Sequence, residues 1–582
     1  MKLFIRFFFT GAAGAVLSLA ITWALTTFVV GTAHYFSAYL VGIAANLLFN
    51  FVTYTLAVFK TKHDHLRRLA VFLWYGVIMA FLQGSTVQLI TEHVGVQRYL
   101  FVIAGVIAFF AVLNFFVFKL SVFKERPEGV RARAPEILAF VLLCAVLLRV
   151  AILFHVLALG GVGPLVYGDA MGYRELSTNL ATGNGFATTR AGMLVPEVFR
   201  TPGLPLLLAP FAGSDSSLAI YFFVLALLGG ALFPYLVYRV GKRFVSVGVA
   251  LGAAILVAFE PQLVFFSMYA QTEMPFMLFS YGALCLAILA YDRGSYLYAA
   301  GAGALLGYAV LIRPGFFPVC IVTLVAILGY QLWKERTMVR YGAVIVLLLM
   351  VVLAPWYVRT HEITGVYALS GAGWRNVYTD YLASVRAIEH HTDFSSEKHS
   401  LKQDAEAIGV PTDQVDNPAY GKLLRNASLK ELWAHKVTVL KLEPVLLFSF
   451  FTQDGYYYQF KRLYLVPNDE GSHTSATFAL LNKGVAGIRD VIAEAGRQLF
   501  IPILGRLFTI GIFLAALIGF FFVKTRMRYA FALIIALSAL TATAIGLGVE
   551  ARLRLPVEPL LFLFAVAACV KFLPVLRFPH EA

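Results

Sequence analysis

Charge is scarce in this chain: Asp, Glu, Lys and Arg make up 14% of its 582 residues, against about 25% in soluble proteins. With 60% apolar residues and a mean hydropathy of +0.78, it cannot hide its apolar surface in one water-facing core. Cysteine is nearly absent as well. The four present, Cys144, Cys285, Cys320 and Cys569, each sit inside an apolar run, which reads as buried packing rather than a disulfide framework. There is no G-x-x-x-x-G-K-[ST] loop and no Asp-x-Asp pair, so the usual grips on nucleotide diphosphates are missing. No group of His and Cys has zinc spacing, and His390-His391, in a polar loop, reads as structural.

What is present is a series of apolar runs, each long enough to cross a hydrocarbon slab of roughly 30 Å. They lack the alternation of barrel strands, so the backbone must satisfy itself as helices. The sequence therefore predicts an all-α polytopic membrane protein with about fourteen transmembrane helices in two bundles. Four spans fall near 7–30, 36–59, 69–91 and 99–122. Ten more fall near 136–156, 217–238, 245–264, 274–291, 296–312, 315–332, 341–358, 502–523, 529–547 and 555–573. A charged stretch with Pro127, Gly129 and Pro135 separates the two sets. The expected modules are thus 1–124 and 136–582, joined by a cytoplasmic linker at 125–135, with 359–500 as a small extracytoplasmic subdomain.

The net charge of +15 is a topology signal rather than a nucleic-acid site. Sixteen of the 32 acidic residues fall in 360–500, and the basic excess gathers in short loops elsewhere. Those loops hold Lys60, Lys62, Arg67 and Arg68; Arg126, Arg131 and Arg133; Lys242 and Arg243; Lys334, Arg336 and Arg340; and Lys524, Arg526 and Arg528. Positive loops stay cytoplasmic, which places both termini inside and 157–215, 260–273, 359–500 and 548–554 on the outer face. A multi-pass plasma (inner) membrane protein is expected. The run behind Lys2 and Arg6 leads straight into further spans, so it reads as a retained first helix.

The first module contains a repeat. NFVTYTLAVFK at 50–60 returns as NFFVFKLSVFK at 114–124, matching Asn50 with Asn114, Phe51 with Phe115 and Leu56 with Leu120. Each copy closes a two-helix hairpin, a pattern common where a small membrane fold moves something. Helix-end anchoring by snorkelling Phe-Lys is the plainer reading of the lysines alone. With the opening Arg6-Phe7, Gly11 and Gly14, then Asn50-Phe51 and Val58-Phe59, residues 5–124 resemble the GtrA-like family. The resemblance implies help in carrying polyprenyl-phosphate-linked sugars across the membrane, with Arg6, Asn50 and Asn114 as candidate residues.

In the second module, Asp169 lies just beyond the fifth span, with Tyr173 four residues on. On spacing alone it reads two ways: a carboxylate that removes a proton from an acceptor hydroxyl, or the N-cap of a helix starting at Ala-Met-Gly-Tyr. Glu273, before Met274-Pro275, could orient an acceptor, bind a divalent ion or cap its helix. Arg313, Arg359, Arg552 and Arg554 fall at predicted outer ends of spans, where arginine forks suit phosphate and snorkelling is the bland alternative. Arg149, inside the fifth span, either pairs with an acid or reaches the interface. Pro444–Phe451 is apolar but too short to span, and Tyr456-Tyr457-Tyr458 suits an interfacial belt or sugar stacking. The tripeptide Asn426-Ala-Ser fits a glycosylation sequon that is too common to carry weight.

The ordered series Asp169, Tyr173, Asn184-Gly185 and Arg200 with Pro202-Gly203 and Pro205 resembles the GT-C superfamily of integral membrane glycosyltransferases. It is nearest the protein mannosyltransferase and aminoarabinose transferase branch. Thr272-Glu273, Arg313-Pro314, Pro355-Trp356 with Arg359, and Arg552-Leu553-Arg554-Leu555-Pro556 continue the likeness over 136–575. The resemblance implies Asp169 as catalytic base, with Tyr173, Arg200, Glu273, Arg313, Arg359, Arg552 and Arg554 binding donor phosphate or substrate. Many relatives have Glu after the first-loop Asp; Ala170 stands here, which weakens a paired-carboxylate metal site. No cofactor is certain, and a divalent metal is left open, with Asp169 and Glu273 as its candidate ligands.

The expectation is an inverting glycosyltransferase, hexosyl or pentosyl, taking sugar from a polyprenyl-phosphate donor at the extracytoplasmic face. The acceptor is a glycan, lipid or protein, the amino-terminal module flips or delivers the donor, and nucleic acid is no partner. The alternative is a lipid-linked sugar flippase or transporter without transferase chemistry, to which the Asp169 loop is surplus. A lipid phosphatase would need a His-based nucleophile that the outer segments lack.

Overall fold

The computed structural model describes residues 2–25, scattered positions between 42 and 118, and 130–334, 336–465, 500–523, 525 and 527–572. It is helical almost throughout, as expected of a polytopic membrane protein. Among the described residues, six helices are long and apolar enough to cross a bilayer: Ala134–Gly160, Asp215–Phe244, Glu273–Arg293, Pro314–Trp333, Val339–Thr364 and Ile501–Phe520. Shorter apolar helices cover Arg6–Ile21, Val247–Phe259, Tyr296–Ile312 and Arg528–Thr543. The expected spans near 36–59, 69–91 and 99–122 lie largely outside the described residues, as do the chain at 466–499, the basic loop Lys60–Arg68, and Arg126 with Pro127 and Gly129.

The chain forms two compact units, divided between Leu159 and Gly160. In the first, Lys2–Leu25 is one helix, and Arg6 on it is exposed. Asn50 donates to Asn46 at 2.5 Å, and Tyr75 donates to Asn114 at 2.5 Å, so both repeated asparagines sit in side-chain hydrogen bonds. Tyr54 and Phe118, equivalent under the repeat, have ring centroids 5.7 Å apart, and Phe7 stacks on Tyr54 at 4.6 Å. A π-type turn spans Tyr54–Val58, and Phe118 has the same backbone form. The helix Val130–Gly160 begins inside the stretch read as linker. Its Phe140 lies against Tyr75 at 5.9 Å, which groups it with this unit rather than the next.

The second unit is built on helices that follow the expected spans closely, with one interruption. The run expected as a single span at 245–264 breaks after Phe259, where Pro261 opens a new short helix. Glu260 caps that helix, its Oε2 accepting from the Leu263 N–H at 2.7 Å. A helical subdomain at 366–465 packs around buried Tyr378, Leu382, Leu401 and Leu424. Arg386 braces it by reaching Asp404 and Glu431 at 2.5 Å each. His390 is engaged with Glu397 at 3.0 Å. The apolar stretch at 444–451 continues a longer helix, Lys436–Thr452.

The segment at 168–203 is tied down at several points. The helix Asp169–Ala181 starts on Gly168, whose φ of +56° only glycine adopts cheaply. A two-stranded hairpin, Ala187–Arg190 with Met193–Pro196, is fastened to it: Asn179 donates to the Ala187 carbonyl at 2.7 Å, and Glu175 accepts from the Thr189 N–H at 2.6 Å. Gly203 then brings the chain against the membrane helix Tyr296–Ile312. A Cβ there would lie 2.5 Å from the Ile312 nitrogen, and Tyr308 donates to the Gly203 carbonyl at 3.0 Å.

Candidate functional site

The helix Asp169–Ala181 presents its first turn to the loops between the membrane helices. Its N-cap is Gly168, so Asp169 does not cap the helix. The carboxylate instead accepts from Arg552 Nη1 at 3.1 Å and is half exposed. The same guanidinium has Glu550 Oε2 2.9 Å from its Nε. Burial works against the Arg552 charge, but Glu273, Glu550 and Asp169 outweigh it and push its pKa up.

Glu273 opens the next wall. It is buried, its Oε1 accepts from Arg313 at 3.3 Å, and its Oε2 has no hydrogen-bond partner among the described residues. Tyr173, one turn below Asp169, is pushed up to about 12, first by burial and then by the Asp169 charge, with Glu273 adding and Arg200 and Arg313 opposing. It therefore stays a neutral hydroxyl at ordinary pH. The Arg200 guanidinium lies 5.6 Å from the Tyr173 ring centroid and crowds Gly172. The Arg200 N–H donates to Glu197 Oε1 at 3.0 Å, and the Phe199 N–H to the same oxygen at 2.7 Å, which fixes this bend. Asp169, Tyr173, Arg200, Glu273, Arg313 and Arg552 thus form one electrostatic cluster.

Arg359 and Arg554 are placed differently. Arg359 donates from both terminal nitrogens, each at 2.9 Å, to the Glu197 and Phe186 carbonyls, and lies 4.7 Å from the Trp356 ring centroid. Arg554 is buried, with Nε on Glu558 at 3.2 Å and Nη1 on the Phe450 and Gln453 carbonyls at 3.0 and 2.8 Å. The forks of both are engaged by internal carbonyls, two for each arginine. Asn184 and Gly185 serve the turn into the hairpin, Gly185 at φ +73°. Arg149 is buried within its helix and donates to the Ala145 carbonyl at 3.2 Å.

Two residues escaped the sequence reading. Arg462 lies 3.6 Å from the Tyr167 ring centroid and 5.0 Å from that of Tyr458, also donating to the Tyr458 hydroxyl. Tyr167 is pushed up to about 12, chiefly by burial, and is near enough to Glu273 to feel its charge. Gln271 Nε2 holds the Tyr167 carbonyl at 3.0 Å. Arg462 pairs with no carboxylate among the described residues, unlike Arg313 and Arg552. The available signal was the i, i+4 spacing from Tyr458 to Arg462 on one short helix. Tyr456, in the same run, turns inward and donates to Glu260 at 2.7 Å.

Among the described residues the donor set does not fit a divalent metal. Asp169 and Glu273 each face an arginine, and among the described residues no group of three or more His, Cys, Asp and Glu could hold an ion. What the site offers is a half-exposed carboxylate held by one arginine, with two more arginines and a neutral phenol in the same cluster. That suits proton removal from a hydroxyl beside a departing anion.

Residues 6–123 match the GtrA/DPMS transmembrane domain family, and residues 205–358 match the family described as dolichyl-phosphate-mannose-protein mannosyltransferase. No curated protein matches the chain. The chain thus carries a GtrA/DPMS-type transmembrane domain fused to a domain of GT-C type, and the two point to a multi-pass membrane glycosyltransferase.

Proposed function

We propose that this chain is an inverting glycosyltransferase that takes its sugar from a polyprenyl-phosphate carrier at the extracytoplasmic face of the inner membrane, with both termini cytoplasmic. In this reading 125–135 links the two modules and the subdomain within 359–500 is extracytoplasmic, while the helix Val130–Gly160 packs with the first compact unit. The observation that carries the reading is the Asp169 carboxylate, half exposed and set among Arg200, Arg313 and Arg552 beside Tyr173.

In the proposed step an acceptor hydroxyl attacks the anomeric carbon from the side opposite the phosphate. A new carbon–oxygen bond forms, the bond to the phosphate oxygen breaks, and the electron pair leaves on the lipid phosphate. Asp169 takes the hydroxyl proton. Arg552, which already holds one Asp169 oxygen, keeps that carboxylate oriented. Arg313, Arg200 and Arg462 meet charge that grows on the leaving phosphate. Tyr173 donates from its neutral hydroxyl. Glu273 holds Arg313 in place, leaving its second oxygen for a substrate hydroxyl. The amino-terminal module presents or flips the donor, with the Asn50 and Asn114 pairs as its polar points inside the membrane.

Purified protein in detergent, given a polyprenyl-phosphate sugar and an acceptor, should consume the donor and release lipid phosphate. A carrier without chemistry, which the repeat favours for the first module alone, would consume none, since detergent leaves no two sides to transport between. Retention of full turnover by a folded Asp169→Asn protein would remove the base assignment.

A further inference from the structure

At Gly365 the membrane helix Val339–Thr364 stops and the chain turns into the helical subdomain. Beside this turn, Tyr367, Trp374, Lys422 and Arg425 line an open cleft of about 420 Å³. That is the size of pockets that take small ligands, roughly 300–1,000 Å³. Tyr367 is 69% exposed and Trp374 37%. The Tyr367 ring is stacked on His361, centroids 4.1 Å apart and planes 18° from parallel, which holds it in place. Lys422 and Arg425 are three apart on the helix Gly421–Ala434 and share a face. No carboxylate lines the cleft. Among the described residues Lys422 makes no ion pair, and Arg425 reaches only Asn426 Oδ1, at 3.4 Å.

Two rings and two unanswered cations select a particular chemistry. Aromatic faces pack on the C–H faces of sugar rings, and the cations call for carboxylate, sulfate or phosphate. A neutral glycan would leave both cations unmet. The cleft is also tied to the Asp169 site. Ser370 donates to the Phe199 carbonyl, and the Gly371 N–H to the Val198 carbonyl at 3.2 Å. The Phe199 ring lies 5.8 Å from the guanidinium of Arg200 and 5.4 Å from that of Arg375. We propose that this cleft binds an anionic glycan, as the acceptor on which the Asp169 site acts. The acceptor role rests on the transferase reading; the binding does not.

The test uses the full chain in phosphatidylcholine nanodiscs. The probes are oligogalacturonate and a sulfated heparin oligosaccharide, with maltoheptaose as the neutral control. At least one anionic probe should bind about tenfold or more tighter than maltoheptaose. Lys422→Glu with Arg425→Glu, and separately Trp374→Ala, should each weaken that binding by about tenfold. Lys422→Arg with Arg425→Lys should retain most of it, which separates lost charge from lost fold. Equal binding of charged and neutral glycans, no binding of either anionic probe, or wild-type binding by the double Glu variant would overturn the proposal. Loss of glycan binding when phosphatidylglycerol replaces part of the lipid would assign the cleft to a headgroup and also overturn it. Should glycan binding hold while no donor is consumed, the transferase reading fails and the glycan site stands.

Discussion

Arg552 and Asp169 are 383 residues apart in sequence and 3.1 Å apart in space. The pair closes the loop at 157–215 onto the segment before the last helix. It also gives the carboxylate a fixed direction without burying it. Asp169→Asn should keep the fold, because the amide can still accept from Arg552. It should cost about 10²–10⁴ in turnover if Asp169 is the base. Donor consumption and thermal unfolding measured on the same sample check this, and unchanged turnover would contradict it.

Arg462 and Arg359 should part company. Arg462→Gln removes a cation that meets no carboxylate among the described residues from beside Tyr167, and should raise the donor concentration needed for half-saturation by about tenfold, a loss of ~1.4 kcal/mol. Arg359→Lys removes a fork from two loop carbonyls and should cost about 1.5–3 kcal/mol of stability, with the donor requirement little changed. Kinetics and melting curves on both variants distinguish the roles. An inverted pattern would exchange them.

Gly203→Ala forces a Cβ to within 2.5 Å of the backbone at Leu311 and Ile312. Such overpacking costs about 1–3 kcal/mol, and here it would shift the bend that carries Arg200. A lowered melting temperature in detergent, together with reduced turnover, is the expected result. An unchanged melting temperature would mean the helices part more easily than their packing indicates.

Tyr173 supplies a pH prediction. Its pKa is raised from 10.0 to about 12 by burial and by Asp169, so the folded protein favours the neutral phenol. A raised pKa means this stabilisation is fully present below pH 10 and is lost as pH climbs toward 12. The ultraviolet difference between wild type and Tyr173→Phe should show phenolate growing near pH 12, with no step near pH 10. A step near 10 would mean the ring is wet.

The long elements were legible because lipid leaves the backbone few choices. The helices Glu273–Arg293, Tyr296–Ile312 and Glu558–Phe572 begin within a few residues of where apolar runs and charged loops place them. The break at Glu260–Pro261 was not legible, since one capping carboxylate decides it and the hydropathy stays high on both sides. Among the arginines, sequence could place four at helix ends but not say which fork is free. Arg359 and Arg554 are taken by carbonyls that only folding brings near. Arg462 was missed for the converse reason: Tyr167, the ring beneath it, is 295 residues away in the chain.

The contact between Tyr54 and Phe118 reaches beyond packing. The repeat sets the same aromatic position twice in the chain, and the two rings lie 5.7 Å apart. A change of ring in either copy is therefore felt by the other. Two stretches of chain, 64 residues apart, are answerable to each other at this contact.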